Sequence, residues 1–196
     1  MNNLLISKPN CPYCGVLITT MPSRKKTCSA CGKDIYVRTV EGNKLLLKQV
    51  DAVSLDALKN AGLMPDLAKA VRSADPQFSI RDVVWGILNK TKADYIKKND
   101  LQSASTVTWQ MARLRYEQGS EWFSIMQQAQ REALLYLKNS KVCSKVEILA
   151  AQNEQTCDKC RALNGKKFTI QDALDKMPIP VQGCEWCCCT YIAVIK

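Results

Sequence analysis

Eleven of the 196 residues are cysteine and none is histidine. Thiolates serve as nucleophiles, redox centres or soft metal ligands, and their spacing decides which of these a chain can use. Near the N-terminus CPYC (Cys11, Cys14) is followed by CSAC (Cys28, Cys31), with Gly15 and Gly32 directly behind the two pairs. Two residues between thiolates let a tight turn aim both sulfurs at one ion, and two such knuckles complete a tetrahedron with Zn–S bonds of about 2.3 Å. The glycines suit the φ > 0 backbone that such turns often need. Cys11, Cys14, Cys28 and Cys31 are therefore expected to hold one Zn2+, with iron as the alternative that four-cysteine knuckles also accept.

A second group of thiols closes the chain, with CDKC (Cys157, Cys160) and then GCEWCCC, which carries Cys184, Cys187, Cys188 and Cys189. The two-residue gap recurs between Cys184 and Cys187, which makes these two the expected partners of Cys157 and Cys160 in a second Zn2+ site. Cys189 is the rival for the last position, because in an extended strand it shares a face with Cys187 while Cys188 points the other way. Lone Cys143 reads as a small buried hydrophobe.

The absence of histidine removes Ser/His/Asp triads, Cys/His nucleophile pairs, histidine-based nuclease motifs and C2H2 fingers together. Two complete four-thiolate sets would leave no open coordination position for a reactive water. A non-enzymatic protein is expected, with a thiol-redox role at Cys188 or Cys189 as the remaining catalytic option. Hydrophobic residues make up 46% and charged residues 23%, the balance of a folding globular chain. No apolar run approaches the ~20 residues of a membrane span, and MNNLLISKPN lacks the length and charge order of a secretory signal. The expectation is a cytoplasmic protein, whose reducing surroundings favour metal thiolates over disulfides.

The formal charge is +10, and the first 50 residues carry 8 basic against 2 acidic groups. Each four-thiolate Zn2+ site contributes −2, so loading both brings the chain to about +6. Arg24, Lys25 and Lys26 in the turn between the knuckles, with Lys33 and Arg38 beyond it, are candidate phosphate contacts for DNA or RNA.

The elements that must position these groups are short at both ends and helical between them. GVLITT and DIYVRTV read as strands of an N-terminal ribbon over residues 1–45. The hydrophilic VEGNK then leads into a cysteine-free helical segment, 51–140. SLDALKNAG places Ser54 as a cap and Gly62 as a stop, and PDLAKAVRSAD places Pro65 at a helix start. SIRDVVWGILNKTKADYI offers Ser79 and Asp82 as an approximate capping box, with Val83, Val84, Ile87 and Leu88 on one face. A further helix spans about Ser103 to Glu117 with Val107, Met111 and Leu114 in a stripe, and another is opened by Ser120 and carries Phe123, Met126, Ala133, Leu134 and Leu137. Residues 141–196 return to short elements: KVEILAA as a strand, NGKKFTI as a turn and strand, and IQDALDKM as a helix closed by Pro178. The expected class is α+β, with a four-cysteine zinc ribbon, a small helical bundle and a C-terminal short-stranded four-cysteine zinc-binding domain.

The segments VEILAAQNEQTCDKCRALNGKKFTI and MPIPVQGCEWCCCTYIAVI resemble the C-terminal domain of phage head morphogenesis proteins, the minor capsid proteins similar to the F protein of phage Mu. Cys157, Cys160, Leu163, Gly165, Lys166, Phe168, Cys184, Cys187 and Cys189 match that pattern, while Cys188 stands where the family usually has arginine and the frequent His-Pro is missing. The resemblance implies a non-catalytic assembly role with capsid or portal components as partners, and it too points to Cys189 as the last cysteine of the motif.

Overall fold

The structure is a computed structural model that describes residues 5, 8–75, 77–151, 154 and 156–195. Strand β1 (Lys26–Thr27) pairs antiparallel with β2 (Asp34–Val40), which pairs antiparallel with β3 (Asn43–Leu47), in the order β1-β2-β3. Between β2 and β3, Glu41 and Gly42 take φ of 48° and 80°. Positive φ at both central residues marks a two-residue hairpin turn whose twist suits the flanking strands. VEGNK, the hydrophilic stretch at the end of the expected ribbon, is thus the tip of a hairpin. The sheet runs past residue 45 because Leu45 and Leu47 alternate inward and are buried. The expected strand GVLITT reduces to one bridge, Leu17 with Asn10; Val16 and Leu17 are exposed, and among the described residues no neighbouring strand completes a ladder for them.

Helix α1 (Gln49–Asn60) follows β3 directly, and α2 (Met64–Ser73) follows a turn at Gly62, whose φ is 73°. Ser54 is not a cap. It lies in the middle of α1, buried, with its hydroxyl donating to the Val50 carbonyl at 2.7 Å, a back-bond that serine makes inside helices. Ala52, Leu55 and Leu58 supply the apolar face that starts the helix earlier. Pro65 stands in the first turn of α2, as expected.

Helix α3 (Ile80–Lys97) opens with the expected box: the Asp82 carboxylate accepts from the Ser79 N–H at 3.0 Å, and the Asp82 N–H donates to the Ser79 hydroxyl at 3.3 Å. Helix α4 (Leu101–Glu117) is capped by Asp100, which accepts from the Ser103 N–H. Helix α5 (Phe123–Ser140) starts later than expected, and Glu121 rather than Ser120 receives the Ser124 N–H, at 2.9 Å.

The chain divides into two compact units, 1–90 and 91–196, with the boundary inside α3. α1 packs on β2 and β3 of the first unit, and α5 packs on elements of the second.

In the second unit β4 (Lys145–Leu149) is central, flanked antiparallel by β5 (Lys167–Thr169) and β6 (Thr190–Val194). A helical turn, α6 (Asp158–Arg161), carries Cys160, and α7 (Ile170–Lys176) follows β5 with Thr169 as its cap. The Asn164-Gly165 turn works as expected. Gly165 has φ of 76° and donates to the Ile148 carbonyl, while the Asn164 side chain accepts from the Ala150 N–H. Val146, Ile148, Ile170, Leu174 and Leu134 form one buried cluster that also contains Cys160, Cys187 and Cys189. The thiols are thus built into the core.

Candidate metal centres

The two N-terminal knuckles have the same backbone. Cys11 N–H donates to the Val16 carbonyl at 2.8 Å and Gly15 N–H returns to Cys11 at 2.9 Å; Cys28 N–H donates to Lys33 and Gly32 N–H returns to Cys28, both at 2.9 Å. Gly15 and Gly32 take φ of 76° and 68°, the left-handed conformation that glycine adopts at least cost. These loops bring all four sulfurs within 4.8 Å of one another, with Cys11 to Cys31 and Cys14 to Cys28 at 3.8 Å. A tetrahedron with Zn–S bonds of about 2.3 Å has sulfur edges of about 3.8 Å. Ile35 packs beneath the site with Ile18 and Leu46 beside it. Cys11 and Cys28 are buried, Cys31 is half-buried and Cys14 is exposed.

The Cys11 thiol is displaced by burial, which raises it, and by N–H groups of Cys14 and Tyr13, which prevail and lower it to about 7. At Cys14 the Val16 N–H lowers the thiol, but lost hydration and the neighbouring sulfurs outweigh it and push it up to about 12. A cation held by the four sulfurs would favour the thiolates and release their thiol protons.

The C-terminal thiols are arranged differently. Cys157 to Cys184 is 3.5 Å, Cys160 to Cys184 is 3.8 Å and Cys160 to Cys187 is 3.8 Å. Cys157, Cys160 and Cys184 form one close triangle, and Cys160, Cys187 and Cys189 form another. The four residues expected from spacing are together, but Cys189 is with them. Cys187 and Cys189 are 1% and 2% exposed, and Cys188 between them is exposed, an in-out alternation in the segment just ahead of β6. The Cys189 thiol hydrogen bond lowers Cys187, against burial, to about 6; donating it drives Cys189 far upward, with burial adding to the effect. Burial also raises Cys160 and brings Cys184 up to about 11. Buried Gln130 on α5 fixes this end of the chain by donating to the Cys189 carbonyl at 2.9 Å. Cys143 is half-buried against the same core.

Among the expected phosphate contacts, Arg24 and Lys26 are exposed. Lys25 pairs with Asp34 at 2.8 Å and lies 5.4 Å from the Tyr36 ring centroid, and Lys33 lies 5.2 Å from that of Tyr13. Arg38 is half-buried and bound to Asp56.

Several aromatic residues gather at the C-terminal cysteine cluster. Trp186, between Cys184 and Cys187, stacks on Tyr116 at 4.9 Å and meets Trp122 at 5.0 Å and Trp109 at 5.6 Å. Beside them lies a cleft of about 580 Å3, lined by Arg113, Glu117 and Glu185 as well as by Cys157, Cys160, Cys184, Cys188 and Cys189. The signal available in the sequence was Trp186 itself, placed inside a knuckle.

Among the described residues no helix is long and apolar enough to cross a membrane. The chain is a mixed helix and sheet protein with two cysteine clusters able to hold metal ions, and neither a family model, nor a curated protein, nor a solved structure matches it.

Proposed function

We propose that the protein is a non-enzymatic zinc-binding assembly or adaptor protein, in which metal thiolate centres hold surfaces for partner binding. The observation that carries this reading is the closed set of four sulfurs at Cys11, Cys14, Cys28 and Cys31, whose edges match a tetrahedral Zn2+ site. Small sheets such as β1-β2-β3 bury little surface, and structural zinc contributes about 10–16 kcal/mol of apparent binding energy in zinc-finger peptides. The resemblance of the C-terminal motif to head morphogenesis proteins supports capsid or portal components as the partners.

The test has two parts. Native mass spectrometry should find Zn2+ on the purified chain, and excess chelator should lower its melting temperature sharply. A metal-free chain with an unchanged melt would sink the reading. For the partner, crosslinking in cells assembling phage heads should join the chain to capsid or portal proteins; a loaded chain that joins neither has no such role.

A second reading, nucleic-acid binding, is supported by the exposed Arg24 and Lys26 beside the ribbon. Replacing both by alanine should weaken binding to DNA or RNA and flatten its salt dependence. Unchanged affinity and slope would exclude these residues as contacts.

A further inference from the structure

The two cysteine clusters differ in the way their sulfurs close. At the N-terminus four sulfurs are mutually within 4.8 Å, which is one coordination shell. At the C-terminus the described sulfurs make two triangles, Cys157–Cys160–Cys184 and Cys160–Cys187–Cys189, that share one corner, and no four of the five lie within that limit.

We propose that the C-terminal centre binds two Zn2+ ions bridged by the Cys160 thiolate. This rests on the metal-binding reading above and adds a second ion to it. A thiolate sulfur has lone pairs enough for two metals, and Cys160 is the corner common to both triangles. An ion seated on the first triangle alone would leave Cys187 and Cys189, both almost fully buried, as thiols in the core. An ion on the second alone would leave Cys157 and Cys184 outside any shell, with only the Cys157 thiol donating to Cys184 at 3.5 Å.

Charge favours the same solution. A single Zn2+ on four thiolates carries −2, whereas two Zn2+ on five thiolates carry −1, and a smaller net charge costs less to bury. Loading converts five S–H groups to thiolates and releases their protons to solvent. Each ion then has three sulfur ligands. A cleft lined by Cys157, Cys160, Cys184 and Cys189 borders both triangles.

Metal counting on the full chain tests this. Native mass spectrometry should find three Zn2+ per chain, falling to two in Cys14→Ser, which touches only the first centre, and to two in Cys189→Ser. Cys188→Ser, outside both triangles, should retain three. With 113Cd in place of zinc, two of three resonances should show mutual coupling through the shared sulfur. Two ions in the parent chain, or three uncoupled resonances, would overturn the bridged centre while leaving metal binding intact. A chain without metal would overturn both.

Discussion

Arg38 grips Asp56 through two parallel hydrogen bonds, Nε to Oδ1 at 2.7 Å and Nη2 to Oδ2 at 2.6 Å, which fasten strand β2 to helix α1. Its Nη1 donates to the Val37 carbonyl, so the guanidinium is engaged on all three nitrogens. Lysine cannot reproduce that fork. Arg38→Lys should therefore destabilise the first unit by about 1 kcal/mol, near the upper end for exposed pairs. Denaturant titration would show it. Nucleic-acid affinity should remain at the parent value, and a drop comparable to that in the Arg24 and Lys26 variants would make Arg38 a contact after all.

In the second unit, Lys92 and Glu132 form an ion pair at 3.4 Å with side chains only 12% and 7% exposed, and the Thr108 hydroxyl reaches Glu132 at 2.6 Å. Removing one partner strands a buried charge. Glu132→Ala should cost about 3–5 kcal/mol, while the paired change Lys92→Met with Glu132→Leu should cost far less. Equal losses in the single and double variants would show that the pair is not coupled.

Ser79 holds the Asp82 carboxyl below its ordinary range by donating its hydroxyl and N–H to it. A depressed folded value means stability that is full above the unfolded value, about 3.9, and lost as pH falls through the folded one. Ser79→Ala should cost about 1 kcal/mol at neutral pH through the lost cap. It should also shrink the acid-dependent part of the melting curve below about pH 4. Parallel parent and variant profiles would rule out this coupling.

Trp186 is placed to report on the C-terminal cysteine cluster. Its carbonyl accepts from Cys184 Sγ at 3.3 Å and its ring sits among Tyr116, Trp122 and Trp109. Chelation should shift tryptophan emission to longer wavelength as this cluster opens, and Trp186→Phe should remove most of the shift. An emission maximum indifferent to chelator in the parent chain would separate the rings from the metal.

Much of this was legible in the sequence where one local rule governs the outcome. The clustering of Cys11, Cys14, Cys28 and Cys31, the Ser79–Asp82 box, the Asn164-Gly165 turn and the outward Cys188 all follow from contacts a few residues apart or from simple alternation. Ser54 misled because serine is equally at home capping a helix and back-bonding within one, and the apolar residues on either side decide. VEGNK reads only as a hydrophilic stretch because its composition is polar, whereas its hairpin depends on Leu45 and Leu47 finding a core. The division inside α3 was hidden for the same reason: which helices join which sheet is set by packing, not by local pattern. At the C-terminal cluster, spacing favoured Cys184 and Cys187, but the packed core brings Cys189 to the same place.

Tyr13, in the middle of the first knuckle, has its hydroxyl 3.1 Å from the Gln49 N–H, and α1 has no side-chain cap at its own N-cap residue, Lys48. The helix thus borrows the partner for its first donor from a residue held in place by the ion-binding loop. On a chain emerging from the ribosome both knuckles appear before Gln49 does. On the zinc-binding reading proposed above, metal capture would precede and template the helix, and zinc scarcity during synthesis would be felt first as slow maturation of α1 rather than as loss of a finished protein.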